Sequence, residues 1–234
     1  MDELPPIPAG LIAVLHNARH VAVLTGAGIS AESGIPTFRD AQTGLWAKFN
    51  PEDLATPDAF RRNPDLVWQW YQSRRAGVLS AKPNPAHLAL AELEQRVSQF
   101  TLITQNIDPL HRRAGNSNLI ELHGQIDRLR CSGPLPHYSA WPATETDSPP
   151  LCPECGALLR PDVVWFGEML SRELLAKAWA AASSADLFFS IGTSGVVEPA
   201  ASLPRVALQA SATIVVINLD VENSAEPPLY TLHS

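Results

Sequence analysis

The sequence predicts an α/β fold in which a doubly wound, mostly parallel sheet carries a smaller inserted module. Five short segments are almost continuously apolar, which is typical of strands that are buried on both faces of a parallel sheet. Segments with helical periodicity lie between several of these strands, and such alternation indicates a doubly wound sheet. The predicted strands are residues 21–25, 100–104, 119–122, 186–191 and 213–217.

Two helices between the predicted strands carry the clearest pattern. In residues 86–97, Leu90 and Leu93 lie on the apolar stripe of a helical repeat, and residues 172–182 are rich in alanine and leucine. Helices of this kind cover the faces of the sheet and bury its apolar side chains.

Two stretches interrupt the alternation of strands and helices. Residues 40–80 are helical in pattern and rich in aromatic side chains, and residues 125–166 contain all three cysteines and many prolines. We expect these two stretches to form the smaller module. The larger, nucleotide-binding domain is then predicted to consist of residues 1–39, 81–124 and 167–234.

The composition argues against several classes of function. A formal net charge of −7 provides no positive field for phosphates, so direct nucleic acid binding is not expected. No apolar run reaches the roughly 18 residues of a membrane span, and the first residues lack the pattern of a signal peptide. The expected location is therefore the cytoplasm, where cysteines favour metal binding over disulfides.

A glycine-rich turn directly follows the first predicted strand. Residues 26–31 read Gly-Ala-Gly-Ile-Ser-Ala, which fits the G-x-G-x-x-G/A pattern of Rossmann-like folds. Small residues there allow backbone N–H groups to approach a pyrophosphate, although tight turns without a ligand show the same pattern. A dehydrogenase would continue into a second strand with an acidic end, whereas residues 33–40 contain turn formers, so hydride transfer is disfavoured.

The residues after this turn identify a family. Ser-Gly-Ile-Pro-Thr-Phe-Arg at 33–39, together with the glycine turn, resembles the leading motif of the sirtuins. Further motifs follow in the order of that family, so the resemblance covers nearly the whole chain. They are Thr-Gln-Asn-Ile-Asp at 104–108, Glu-Leu-His-Gly at 121–124, Val-Val-Trp-Phe-Gly-Glu at 163–168, Gly-Thr-Ser at 192–194 and Ile-Asn at 217–218.

The resemblance implies an NAD-dependent protein-lysine deacylase with NAD at the carboxyl edge of the sheet. In sirtuins the acyl-lysine oxygen displaces nicotinamide, and the products are nicotinamide, free lysine and 2′-O-acyl-ADP-ribose. His123 is the implied catalytic base, a role that suits an imidazole titrating near neutrality. The implied NAD-binding residues are Gly26, Ala27, Gly28, Ser30, Phe38, Arg39, Gln105, Asn106, Asp108, Gly192, Thr193, Ser194, Asn218 and Asp220.

A tyrosine and an arginine suggest which acyl group is removed. Tyr71 and Arg74 are three residues apart and share one helical face. They resemble the Tyr-x-x-Arg pair of the bacterial class III sirtuin subclass, which binds the distal carboxylate of succinyl- or malonyl-lysine. A core tyrosine beside a solvated arginine is the alternative, and Arg75 shares the same face.

The resemblance also implies how the substrate protein binds. Val164 and Phe166 would lie along an extended peptide that contains the acyl-lysine, a mode that depends on the peptide backbone more than on its side chains. We therefore expect desuccinylase and demalonylase activity, with deacetylase activity besides, on protein substrates whose identity the sequence does not give.

The cysteines depart from the family pattern. Sirtuins bind a structural zinc with two C-x-x-C pairs in a zinc-ribbon-like module, but Pro134 stands where the second cysteine belongs. Cys131, Cys152 and Cys155 form an incomplete ligand set. His137 could complete it, whereas a three-ligand remnant would bind zinc weakly or not at all. The sequence leaves both alternatives open.

Other functions compete with deacylation. Mono-ADP-ribosyltransfer to protein uses the same expulsion of nicotinamide with another nucleophile, and a non-catalytic chain would bind NAD or acyl-lysine without turnover. The family usually continues through a further helix after Asp220, so we expect some adenine contacts to be missing. Serine hydrolysis is disfavoured because residues 192–195 lack the spacing of a nucleophile elbow.

Overall fold

The computed structural model describes residues 7–37, 54–135, 137–219, 224–226 and 228–233. Its strands are β1 His20–Thr25, β2 Gln99–Thr104, β3 Leu119–Glu121, β4 Gly124–Cys131, β5 Tyr138–Ala140, β6 Leu159–Val163, β7 Leu187–Ile191, β8 Thr213–Asn218, β9 Ser224–Glu226 and β10 Leu229–His233. Its helices are α1 Ala9–Asn17, α2 Pro57–Arg62, α3 Pro64–Ser80, α4 Pro85–Arg96, α5 Leu110–Ala114, α6 Arg172–Ser184 and α7 Leu203–Gln209, with 3-10 helices at Ala27–Ser33 and Ala200–Ser202.

A seven-stranded sheet of order β3-β2-β1-β7-β8-β10-β9 forms the centre of the larger part of the chain. Every neighbouring pair is parallel except β10 with β9. All six residues of β1 are buried, because helices cover both faces of the sheet. The predicted doubly wound parallel fold is therefore confirmed, and each of the five predicted strands is present.

The strand order places a crevice beside β1. The chain extends outwards from β1 through β2 and β3, and then returns to build β7 and β8 on the other side of β1. Strand order thus reverses at β1, and α/β sheets bind their ligands outside the carboxyl ends of the strands at such a point. Thr25, Thr104 and Ile191 end the three strands that meet there.

Helices pack on both faces of this sheet. On one face, alanines of α6 and α7 allow these helices to lie close to Phe188 and Ile214. On the other face, Leu11 of α1 and Leu90 of α4 pack against the side chains of β1 and β2. Two apolar layers therefore fix the positions of the strand ends. None of the helices in the described ranges has the length and apolar composition to cross a membrane.

A second core lies where the smaller module is predicted. The antiparallel sheet β5-β4-β6 packs against α3, and the shared apolar cluster includes Trp68, Trp70, Tyr71 and Leu129. Most members of the cluster come from residues 54–81 and 126–165, but Ile35 and Leu110 join it from the larger part. The exact domain boundaries stay a prediction.

Candidate active site at the carboxyl edge of the sheet

The loops after β1 and β7 touch through their backbones. Gly28 N donates to Gly192 O at 2.9 Å, and Gly26 N donates to Ile191 O at 3.0 Å. A Cβ atom on Gly28 would lie 2.7 Å from Gly192 Cα, and Gly192 itself has a φ of 59°, which favours glycine. The glycine pattern is therefore required by the close approach of two loops. The absence of side chains at the glycines, together with the small methyl group of Ala27, keeps the crevice accessible to a ligand.

Three predicted NAD-binding side chains form one buried network. Asn106 Nδ2 donates to Gly26 O at 3.0 Å and to Ser30 Oγ at 3.2 Å. Ser30 Oγ in turn donates to Asp108 Oδ2 at 2.9 Å, and Asp108 Oδ1 accepts from Leu110 N at 3.0 Å. Because these hydrogen bonds link the three side chains to one another and to the backbone, the network provides a rigid polar floor at the switch point.

Two buried histidines lie behind this floor. His87 Nε2 lies 3.5 Å from Ser30 Oγ, His111 Nε2 lies 3.0 Å from Thr25 Oγ1, and the two ring centroids are 4.8 Å apart. Burial lowers the pKa of His111 to about 3 and also lowers the pKa of His87. Both rings therefore support the floor as neutral groups. Neither ring was predicted to take part in the site, although Asn84 three residues before His87 is a helix-capping signal and the two residues do form a capping box.

His123 is oriented by a backbone carbonyl. Its Nδ1 lies 2.8 Å from Gln105 O, which can only accept, so Nδ1–H donates and Nε2 keeps its lone pair. Burial lowers the pKa of the half-buried imidazole, so the ring is neutral at pH 7. The following Gly124 has a φ of 80°, and a Cβ atom there would lie 2.0 Å from Asp162 O. These features place a neutral imidazole base at the end of β3.

The other side of the crevice carries further residues of the implied NAD-binding set. Gln105 Nε2 donates to Thr193 Oγ1 at 3.3 Å, and Asn218 Nδ2 donates to Thr193 O at 2.9 Å. The ends of β2, β7 and β8 are thereby joined, and Ser194 is exposed at the rim. Phe38, Arg39 and Asp220 lie outside the described residues.

The predicted acyl-binding pair lies in α3, against the loop that contains Trp165. Tyr71 is 2% exposed, and its hydroxyl accepts from Trp165 Nε1 at 2.9 Å. Arg74 places its Cζ atom 5.1 Å from the centroid of the Trp70 ring, whereas Arg75 lies over Trp141 at 4.8 Å. Burial raises the pKa of Tyr71 and lowers that of Arg74. Arg74 and Arg75 therefore contact different indole rings, a difference that their spacing from Tyr71 along the helix could not predict.

The predicted peptide-binding residues follow β6. Val164 N donates to His123 O at 2.9 Å, which ties this segment to the catalytic candidate. Phe166 is 45% exposed, and its N–H donates to Ala55 O at 2.9 Å. Trp165 between them is buried, so alternate side chains point inward and outward.

The three cysteines gather with His137, which favours the four-residue alternative over the three-ligand remnant. The donor atoms of Cys131, His137, Cys152 and Cys155 all lie within 4.8 Å of one another. Cys131 Sγ lies 3.3 Å from Cys155 Sγ, and Cys152 Sγ lies 3.4 Å from His137 Nδ1. Tetrahedral zinc with bonds of about 2.3 Å separates its sulfur ligands by about 3.8 Å, so these four residues fit a structural zinc ion.

A hairpin brings His137 to this site. Cys131 N donates to His137 O at 2.7 Å between the end of β4 and the start of β5. On the other side, Gly156 N donates to Cys152 O at 2.8 Å and closes the turn that holds Cys152 and Cys155. Zinc at this position would link the two turns, which is a structural role. The sequence offered His137 as a candidate fourth ligand, but only the pairing of β4 with β5, which it did not predict, brings this side chain to the cysteines.

Known proteins resemble this chain in sequence and in structure. The model of the Sir2 family matches residues 26–199. An NAD-dependent protein deacylase of Thermus thermophilus is 53% identical over 213 residues, which cover 87% of this chain and 81% of the relative. One of Aeropyrum pernix is 51% identical over 205 residues, with coverages of 88% and 83%.

Solved structures agree with the sequence relatives. A Sir2 homolog crystallised with NAD has a TM-score of 0.88 at 42% identity, and the match covers 99% of this chain and 90% of that chain. A Sir2 protein bound to an acetylated peptide has a TM-score of 0.80 at 35% identity, with coverages of 90% and 85%. The glycine turn, the polar floor and the matched family model lead to one conclusion: this chain belongs to the Sir2 family.

Proposed function

We propose that the protein is an NAD-dependent protein-lysine deacylase. The observation that carries this proposal is the orientation of His123, whose Nδ1–H donates to Gln105 O and whose Nε2 is left as a base at the edge of the sheet. The relatives are named NAD-dependent protein deacylases, and solved members of the family hold NAD or an acetylated peptide. Each of these agrees with the chemistry that the residues of this crevice support.

The residues divide the work of such a reaction. NAD, when bound, supplies a ribose carbon that accepts the acyl oxygen as nicotinamide leaves. The turn at Gly26–Gly28 offers backbone N–H groups near the pyrophosphate, while Asn106 and Asp108 hold the floor beneath the nicotinamide ribose. His123 Nε2 would take a proton from a ribose hydroxyl. The chain contributes positioning, proton transfer and exclusion of water rather than a nucleophile of its own.

Mass spectrometry tests this function directly. The protein is incubated with NAD and an acetyl-lysine peptide, and the peptide, nicotinamide and acyl-ADP-ribose are followed together. We expect equal amounts of deacylated peptide, nicotinamide and acyl-ADP-ribose. Release of nicotinamide with addition of ADP-ribose to protein would instead show a transferase, and no release at all would show a binding protein without turnover.

The pH dependence of the reaction should reflect the lowered pKa of His123. Because burial holds this pKa below the ordinary value of 6.5, the neutral base persists as the pH falls to that value. We expect kcat/KM for an acetyl peptide, which has no titrating acyl group, to decline only below pH 6.5. An acidic limb centred above pH 6.5 would contradict the assigned environment of His123.

We further propose that the acyl pocket prefers acidic acyl groups such as succinyl and malonyl. Tyr71 accepts a hydrogen bond from Trp165, so its own hydroxyl proton remains to be donated to a carboxylate. Arg74 on the same helical face adds a cation that is half-buried against Trp70. Two donors, one of them charged, match the distal carboxylate of a succinyl group better than the methyl of an acetyl group.

Replacement of Arg74 by methionine tests the acyl preference. Charge-assisted hydrogen bonds contribute about 1.5–3 kcal/mol, so R74M should lower kcat/KM for a succinyl peptide by about 10- to 100-fold and leave the acetyl peptide nearly unchanged. Arg75→Met is the matched control, because Arg75 lies over Trp141 instead and its loss should not alter the ratio. Equal rates of the wild-type protein on both peptides would refute the preference while leaving deacylation intact.

A further inference from the structure

One carboxylate organises the loop between Val163 and Glu168. Glu168 Oε2 accepts from Trp165 N at 2.8 Å, which bends the loop back on itself. Glu168 Oε1 accepts from Arg130 Nη2 at 3.0 Å and also from Arg160 Nη2. This loop contains the residues that we assign to the substrate peptide, so its shape decides how a peptide can bind.

A buried guanidinium lies beneath the same loop. Arg160 is 4% exposed, and its Nη1 donates to Val163 O at 3.1 Å. Its Cζ atom lies 3.8 Å from the centroid of the Trp165 ring, within the range of a cation–π contact. Arg160 and Glu168 therefore hold the first residue of the loop, the last residue and the indole between them.

The indole of Trp165 connects Arg160 to the proposed acyl pocket. Trp165 Nε1 donates to Tyr71 OH at 2.9 Å, and the two ring centroids are 6.2 Å apart. Any rotation of Trp165 would break this hydrogen bond and free the phenol. The ion pair is thus linked to the proposed peptide strand through the backbone of Trp165 and to the proposed acyl pocket through its side chain.

A purely stabilising role explains this arrangement poorly. Buried ion pairs contribute little net stability compared with apolar side chains of similar volume, because desolvation offsets their attraction. Their directional hydrogen bonds nevertheless fix one geometry among many. Arg160 meets three partners in three directions, and only one of them is its counter-ion.

We propose that Arg160 and Glu168 are positioning residues for substrate binding: they hold the 163–168 loop in its peptide-binding shape and orient Tyr71 through Trp165. The inference rests on the proposed deacylase function, because it concerns the affinity for the acyl-lysine peptide. Neither residue touches the reacting atoms in this scheme. The effect of replacing either residue should therefore appear in peptide binding, and the affinity for NAD should not change.

Conservative variants of the full chain separate positioning from stability. R160K keeps the positive charge but loses the planar guanidinium group that donates in two directions. E168Q keeps an acceptor oxygen but loses the negative charge. We expect R160K and E168Q each to raise the KM for an acetyl peptide by about tenfold or more, with the KM for NAD and kcat within about twofold of wild type. The Kd of a fluorescent acetyl-lysine peptide, measured by anisotropy without turnover, should rise in parallel.

A neighbouring ion pair provides the matched control. Arg128 Nε donates to Asp162 Oδ2 at 2.7 Å in the same antiparallel sheet, and the Arg128 guanidinium lies over Tyr138 instead of Trp165. R128K should leave the KM for the peptide unchanged. If R128K raised this KM as much as R160K does, a general loosening of the sheet would explain the effect and the proposal would be wrong.

A double variant keeps the test decisive if the single variants lower Tm. R160M/E168M replaces both residues by apolar side chains, and Arg130, which then loses Glu168 as its counter-ion, is partly exposed to solvent, so Tm should move back towards the wild-type value. The Kd for the peptide should stay raised, because Trp165 N has lost its acceptor. Recovery of peptide affinity together with Tm would overturn the positioning role, as would single variants with wild-type affinity. A wild-type protein that binds the peptide but fails to deacylate it would refute the proposed function alone.

Discussion

Replacement of His123 by alanine is expected to lower kcat for every acyl peptide by about 10²–10⁴-fold, the usual contribution of a positioned general base. The imidazole is the proposed base after the carboxyl end of β3, and its Nδ1–H bond to Gln105 O directs Nε2 away from that carbonyl. Its loss removes the proton acceptor while the polar floor stays in place. The measurement is the steady-state rate of acyl-ADP-ribose formation by mass spectrometry.

The H123Q variant is a sharper control for this result. His123→Gln retains a side-chain donor that can reach Gln105 O, so the local structure is preserved, but an amide cannot act as a base near pH 7. We expect both variants to bind NAD within a few-fold of wild type and to melt at nearly the same temperature. A glutamine variant with more than a tenth of wild-type activity would exclude His123 as the base.

The predicted fold and the geometry at the crevice follow from local sequence signals. The five strands could be predicted because parallel strands that are buried on both faces leave continuous apolar runs in the sequence, as the wholly buried β1 shows. Polar residues directly after such a run reach the same edge of the sheet. Asn106 and Ser30, which are distant in sequence, meet there in one hydrogen-bonded network. The family resemblance implied that both residues serve one NAD site, and the shared direction of the strands explains why they meet.

The smaller sheet shows what local signals cannot give. β6 reads Leu-Arg-Pro-Asp-Val, yet all five residues are buried, because Arg160 and Asp162 find ionic partners in other parts of the chain. A strand whose buried charges are compensated only in the tertiary structure has no apolar run to reveal it. In β4 as well, charged residues interrupt the apolar ones, whereas β5 is only three residues long and mostly exposed.

Local sequence signals could not decide between Arg74 and Arg75 either. Positions i+3 and i+4 from Tyr71 are equivalent by helical spacing, so only the packing of neighbouring indoles separates them. Trp70 contacts one guanidinium and Trp141 contacts the other. The family resemblance favoured Arg74, and the structure shows that the two guanidinium groups have different surroundings.

Removal of zinc from the site formed by Cys131, His137, Cys152 and Cys155 is expected to have the largest effect on stability. Structural zinc in small domains contributes apparent binding energies of about 10 kcal/mol or more, and here it would link the turn after β4 with the turn at 152–155. We expect one zinc ion per chain by elemental analysis. Cys152→Ser or a strong chelator should remove it and lower Tm by more than about 10 °C.

Variants of His137 decide whether this imidazole is a ligand. With the fourth donor removed, H137A should still bind zinc through three thiolates but release it to a weaker chelator, whereas H137C should hold it at least as firmly as wild type. The change of Ser132 to alanine in the same turn is the matched control, because only its backbone is bonded there, to Leu158 O. Wild-type zinc retention in H137A would show that the histidine lies beside the metal without binding it. Since the polar floor belongs to the seven-stranded sheet, NAD binding should survive partial loss of zinc, and a parallel loss of both would reveal that the metal also supports the crevice.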